Sequence, residues 1–409
     1  MEIRPILATL RRHKLTAILL MLQVAFTCAI VCNVAFMIIY RAQRVSMPTG
    51  IAEDQLSVIQ VAGIRQGANP QAQHVVDLAA LRAVPGVESV VATNGSLPLS
   101  ESSSFYGVCP TRKALEQAMQ VQSLGSACVQ PGVYGGSPGV IATLGLDLIE
   151  GRDFRSDEFV KDDQPPAAII SQALAQRLYP GENPLGKELY TGAKNPIRVI
   201  GVVKTLLAAR LRMPGTDYYT MLYPELPSGT YTYYVMRSAS QDRERVLKAA
   251  HAALLKVDPN RLVENEGETY TQIRAQYFQR DTTMISLLLA SALGLLFVTA
   301  LGITGLANFW VGQRTRSIGI RRAIGATRVD ILRYFQTENF LIVTFGVLLG
   351  MLLAVGLNLL LMKHYELPRL PLWYLPIGAA VLWLLGQLSV LAPALRAANV
   401  PPVVATRSV

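Results

Sequence analysis

The sequence predicts an α-helical membrane protein with four transmembrane helices and a large extracytoplasmic α/β domain between the first and second. Three observations carry this. Residues 15–40, 282–313, 339–362 and 370–395 contain no Asp, Glu, Lys, Arg or His, and each window exceeds the ~20 residues a helix needs to cross the hydrocarbon core. Only 16% of the 409 residues are charged, against about 25% in soluble proteins. The net charge of +10 resides entirely in residues 1–14, 312–337 and 396–409. Short Lys/Arg-rich segments resist translocation, so the basic balance reports topology. No nucleic-acid partner is implied.

Residues 2–14, EIRPILATLRRHK, place Ile3, Ile6, Leu7 and Leu10 on one helical face. They read as a short interfacial helix or as an ordinary basic flank. The apolar run at 15–40 is longer than the h-region of a cleaved signal peptide, so it reads as a retained first span. Cys28 and Cys32, four apart, suit apolar packing.

Residues 41–281 form the outward domain. Its two ends share a pattern. A strand at 55–64, a helix at 73–83 and a strand at 87–93 match a strand at 230–237, a helix at 241–257 and a strand at 261–265. The crossover helices predict parallel pairing within each βαβ unit. Between them, 95–229 is rich in Gly, Pro, Ser and Tyr and reads as a β-rich insertion, with strand candidates at 167–170 and 197–203. Cys109 and Cys128 lie in this insertion. An oxidising compartment would let them pair, closing a loop worth about 3 kcal/mol in the chain-entropy model; otherwise they are two thiols.

From 269 to 311 there is no helix-breaking Pro, and Gly first appears inside the apolar run. One helix is expected here, longer than a bilayer, whose first turns stand out as a stalk. The spans are then 282–311, 338–362 and 370–395, with a cytoplasmic loop at 312–337, an outer turn at 363–369 and a cytoplasmic tail at 396–409. Ser286, Ala290 and Gly294, and likewise Gly346, Gly350 and Ala354, place small residues at four-residue spacing. Such stripes let helix backbones approach closely in lipid; packing within the chain is the expected use, a dimer or sliding interface the alternative, and the partner helix is left open.

The loop sequence at 313–326, QRTRSIGIRRAIGA, resembles the hallmark of MacB/FtsX-like ABC transporter permeases. The closing PALRAANVPPVVA at 393–405 is similar to that family's C-terminal pattern. VPGVESV at 84–90, LGLDLIEGRDF at 144–154 and NPLGK at 183–187 resemble its periplasmic core. The resemblance implies a non-enzymatic permease subunit in a bacterial cytoplasmic (inner) membrane, both termini inside. It implies a second permease copy and a cytoplasmic ABC ATPase that uses ATP and Mg, with no cofactor bound by this chain. A periplasmic adaptor and an outer-membrane channel are further implied partners where the host has two membranes. The macrolide-exporter type carries its ATPase N-terminally in one chain; here the first span comes almost at once, so the ATPase is expected in a separate chain. The coupling segment maps to 316–326. Arg314, Arg316, Ile318, Arg321, Arg322 and Ile324 are its candidate contacts, with Gly319 and Gly325 as the turns that bracket it. The implied function is export of a small molecule or peptide by mechanical transmission. The alternatives are control of extracytoplasmic enzymes such as cell-wall hydrolases, or lipoprotein extraction.

Other chemistry is not signalled. GENPLGKE at 181–188 approaches a phosphate-binding loop, but Glu188 replaces the metal-holding hydroxyl and Pro184 removes a backbone N–H. His13, His74, His251 and His364 lack metal-ligand spacing. Asp153, Asp157, Glu158, Asp162 and Asp163 read as a solvated loop rather than a calcium site. The uncharged spans argue against a proton-coupled carrier, which needs intramembrane carboxylates or His.

Overall fold

The structure is a computed structural model. It describes all residues except 1–13, 63–68, 94, 96, 101–103, 160–164, 193–194, 212–214, 227–230, 366–368 and 400–409. The N-terminal interfacial helix, Asp162, Asp163 and most of the tail therefore lie outside the described residues. In chain order the helices are α1 (Lys14–Val45), α2 (Pro70–Arg82), α3 (Arg112–Val121), α4 (Val140–Leu144), α5 (Gln172–Leu178), α6 (Arg243–Val257), α7 (Tyr270–Tyr277), α8 (Gln279–Ala323), α9 (Arg328–Tyr365) and α10 (Tyr374–Ala398). The strands are β1 (Leu56–Ala62), β2 (Val87–Thr93), β3 (Ser104–Phe105), β4 (Gly132–Gly136), β5 (Leu148–Gly151), β6 (Ala167–Ser171), β7 (Glu188–Leu189), β8 (Ile197–Val203), β9 (Thr220–Pro224), β10 (Tyr231–Ser238) and β11 (Leu262–Thr269). Two compact units result, one of Met1–Ser46 with Arg280–Val409 and one of Met47–Gln279.

The helical unit contains four helices long and apolar enough to cross a membrane: α1, α8, α9 and α10. The tightest seam lies between α9 and α1. A Cβ on Gly346 would lie 2.8 Å from Val24, and one on Gly350 would lie 2.5 Å from Cys28 and 2.7 Å from the Ala25 carbonyl. Asn33 Nδ2 donates to the Ala354 carbonyl at 3.0 Å. The stripe at Gly346, Gly350 and Ala354 thus packs within the chain, where small residues allow backbones to touch. Cys28 and Cys32 are buried in the same core, Cys32 facing Gly378 of α10. Thr27 and Thr299 share a hydrogen bond at 2.8 Å, and Thr304 donates to the Ser389 carbonyl at 3.0 Å. The stripe on α8 behaves differently. Ser286, Ala290 and Gly294 are exposed, and nothing lies within 4 Å of a Cβ placed on Gly294.

The α/β unit is a single sheet in the order β11-β1-β10-β2-β4-β9-β6-β8-β5, with β3 beside β4 and β7 beside β8. The parallel pairing expected within each βαβ unit is not present. β10 inserts between β1 and β2 and runs antiparallel to both, while β11 pairs antiparallel with β1. The two units interlock as split βαβ motifs, a ferredoxin-like arrangement. Each crossover leaves a gap one strand wide, and the other unit's strand fills it. The insertion is not purely β: strands β3–β9 alternate with α3, α4 and α5. It joins the same sheet through the Thr93–Gly136 pair of β2 and β4.

Apolar side chains fill both sheet faces. On one face Ile59, Val61 and Tyr234 cluster with Leu81 of α2 and with Val246, Ala250 and Leu254 of α6, and on the opposite face Leu56, Val58, Val235 and Tyr134 cluster with Ile141 of α4. One polar cluster interrupts this core. Asp77 accepts from Arg261 Nη2 at 2.8 Å and from Tyr234 Oη at 2.7 Å, and His74 lies 2.9 Å from the same phenol. Burial, then the Asp77 charge, pushes the Tyr234 phenol well up, so it keeps its proton. Cys109 and Cys128 form a disulfide that closes the loop carrying α3.

The single helix expected over 269–311 is interrupted. Thr269 caps α7 through a capping box with Gln272. The helix ends at Phe278, whose φ of −94° and ψ of 5° leave the helical region. A second helix then runs 45 residues to Ala323, well past the expected end at 311. α7 is fastened to the first residues of its unit: Arg274 Nη1 bonds Glu53 Oε1 at 2.6 Å and Nη2 donates to the Met47 carbonyl at 2.7 Å.

Candidate functional site

The basic segment is not an open loop. Arg has high helix propensity, and Arg314, Arg316, Arg321 and Arg322 all continue α8. The chain reverses at Ile324–Thr327. Gly325 has φ +108°, a left-handed backbone that favours glycine. It ends α8 with the Gly325 N–H donating to the Arg322 carbonyl at 3.2 Å and the Ala326 N–H to the Arg321 carbonyl at 3.0 Å. Thr327 then caps α9: its hydroxyl accepts from the Asp330 N–H at 3.2 Å, and its own N–H donates to Asp330 Oδ2 at 3.0 Å. The result is a helical hairpin with a four-residue tip. Gly319, expected to be a turn, is instead buried mid-helix; only Gly325 turns the chain.

The candidate contacts separate into two groups. Arg314, Ile318, Gly319 and Arg322 face inward. Arg314 forms a two-pronged ion pair with Glu338, at 2.7 and 3.1 Å, with Glu338 only 1% exposed. Its guanidinium also sits 5.7 Å from the centre of the Trp310 ring. Ile318 packs with Ile331 and Phe335. Arg322 Nη1 donates to the Ala398 carbonyl of α10 at 3.0 Å. Arg316, Arg321, Ile324 and Gly325 face outward. Ile324, at 82% exposed, crowns the tip, with Ile320 and Val329 exposed beside it. Arg321 lies over the Tyr334 ring at 4.9 Å, which steadies its stem while leaving the side chain exposed.

Sequence reasoning missed Glu338. It stands one residue before an uncharged window, where it reads as a boundary marker. An acid 24 positions from an Arg, at the other arm of a hairpin, was the available signal. The disfavoured phosphate-loop match at 181–188 folds as a turn in which Lys187 pairs with Glu182 at 2.6 Å. Glu158 of the acidic cluster is held by Arg152 and by the Arg155 N–H. Among the described residues, no group of three or more His, Cys, Asp or Glu side chains is placed to hold a metal ion.

Comparison with known proteins places two models on the chain: the MacB-like periplasmic core domain over residues 24–253 and the FtsX-like permease C-terminal region over 289–402. YknZ of Bacillus subtilis, an ABC transporter permease, is 26% identical over 278 residues, covering 67% of this chain and 69% of its own. The macrolide export ATP-binding/permease protein MacB of Nitrosomonas europaea is 31% identical over 273 residues, covering 64% of this chain. This chain spans 40% of that relative's length. The crystal structure of the extracellular domain of YknZ is similar to 51% of this chain at 19% identity, with a TM-score of 0.33, over its whole length.

Proposed function

Because the chain belongs to the MacB/FtsX-type ABC transporter permeases, we propose that it is a membrane subunit driven by a cytoplasmic ABC ATPase docked on the α8–α9 hairpin. The observation that carries this is the hairpin tip. A branched aliphatic side chain, Ile324, stands exposed at the turn between two helices, in a segment that also exposes Arg316, Arg321 and Arg328. An apolar anchor within a charged rim is the pattern of an interface hot spot. The basic rim belongs on the cytoplasmic face, which puts the α/β unit on the other side. ATP and Mg are used by the partner, and this chain binds neither.

The α/β unit is the moving part. Nucleotide-driven movement of the hairpin travels along α8 and reaches that unit, where it exports a small molecule or peptide. A second permease copy covers the open α8 face, whose Ser286, Ala290 and Gly294 stripe has no partner helix among the described residues. An adaptor and an outer-membrane channel complete the assembly in a two-membrane host.

The test is co-purification of the cytoplasmic ATPase with the full chain from membranes. Ile324→Asp and Arg321→Asp are each expected to cut recovery at least about tenfold, about 1.4 kcal/mol. Undiminished recovery with both variants refutes docking at the tip.

A further inference from the structure

Glu338 and Arg314 lie on opposite arms of the hairpin, where α8 and α9 leave the apolar core. Both oxygens of the carboxylate are engaged by the guanidinium fork, at 2.7 and 3.1 Å. A two-pronged Arg–carboxylate contact fixes orientation as well as distance. The pair is also walled in. Arg314 is backed by Trp310, and Asn339, beside Glu338, donates to the Gly386 carbonyl of α10 at 2.9 Å. Nine residues of α8 lie beyond Arg314, an arm of about 14 Å at ~1.5 Å per residue. A tilt of about 10° at the pair would move the tip by about 2 Å over that length. An apolar anchor that must enter a partner's pocket does not tolerate such play.

We propose that Glu338 is a positioning residue: through Arg314 it sets the angle of the hairpin, so that Ile324 and Arg321 are presented in one pose. Arg314 is therefore an internal strut and not a partner contact. This rests on the docking role of the tip, but its first readout does not.

The experiment uses the full chain in nanodiscs with spin labels at Ile324→Cys and Leu384→Cys, the latter on the exposed face of α10. The parent should give one narrow distance distribution. Glu338→Gln should at least double its width, and the exchange R314E/E338R should restore it. A control pair at Leu19→Cys and Leu352→Cys, both exposed on the α1 and α9 helices, should stay unchanged, which separates loss of pose from loss of fold. Should Glu338→Gln fail to accumulate, Arg314→Lys keeps both charges and removes only the fork, and broadening is again expected. An unchanged tip distribution in these variants overturns the proposal. ATPase co-purification is read in parallel. Broadening with full ATPase recovery, joined to full recovery for Ile324→Asp, leaves Glu338 as a positioning residue and refutes docking at the tip instead.

Discussion

Gly350→Ala tests a close backbone contact between two helices, α9 and α1. The added carbon would lie 2.5 Å from Cys28 Cβ, 2.7 Å from the Ala25 carbonyl oxygen and 3.1 Å from Ala25 Cα. Carbon atoms pack best at about 3.5–4.0 Å, so α9 must retreat from α1 by about 1 Å. Two of the three atoms are backbone, and the third is the first side-chain carbon, so no rotamer change relieves the clash. Overpacking of this kind costs about 1–3 kcal/mol. The higher helix propensity of Ala returns up to about 1 kcal/mol. The net expectation is a loss of about 1–2 kcal/mol, or about 2–8 °C in melting temperature for a unit of this size. Gly356→Ala in the same helix is the internal control. Nothing lies within 4 Å of its new carbon, so the propensity term acts alone and the protein should gain about 0.5–1 kcal/mol. Adding Cys28→Ala to Gly350→Ala should not rescue stability, because the offending carbon remains. Thermal unfolding of the detergent-solubilised chain by size-exclusion stability measures all three. Equal shifts for Gly350→Ala and Gly356→Ala, or stabilisation of the first, would refute the seam.

Two more predictions concern the α/β unit. Asp77→Asn leaves Arg261, whose side chain is 2% exposed, without its counter-charge; breaking such a pair costs about 3–5 kcal/mol, visible as a melting transition about 10 °C lower. The Arg152 guanidinium, with help from the Arg155 N–H, holds the Glu158 carboxyl below its usual range. A depressed carboxyl contributes stability above its unfolded value of about 4.3 and loses it as pH falls through the lower folded value. Arg152→Met should therefore make hydrogen exchange of residues 152–159 rise at a higher pH than in the parent. Because Arg152 is 37% exposed, the effect should be small and fade with salt.

Local signals were legible in the sequence. The uncharged windows correspond to α1, α8, α9 and α10, and the strands proposed at 55–64, 87–93 and 197–203 fall on β1, β2 and β8. What escaped was non-local. A βαβ pattern says that two strands point the same way, not that they touch; β10 entering between β1 and β2 is decided by which faces must be covered. Hydropathy windows measure what lipid tolerates, not where a helix stops, so α8 continues through Arg314, Arg316, Arg321 and Arg322. For the candidate site, residue type drew attention to the right stretch. Which arginines face inward depends on Glu338 and Ala398, far away in sequence.

The interleaved strand order also sets a timetable for biogenesis. Val58 on β1 pairs with Val235 on β10, and the other neighbour of β1 is the still later β11, so neither edge of β1 is covered until nearly 180 further residues have been synthesised. Bringing such distant segments together carries a loop-closure cost that a local hairpin avoids, and slows folding in the manner of high contact order. The Cys109–Cys128 bridge spans only 19 residues and is free of that wait. The nascent outward segment should therefore acquire its cross-link first, spend an interval with the edges of β1 open, and depend on whatever shields them until β10 and β11 arrive.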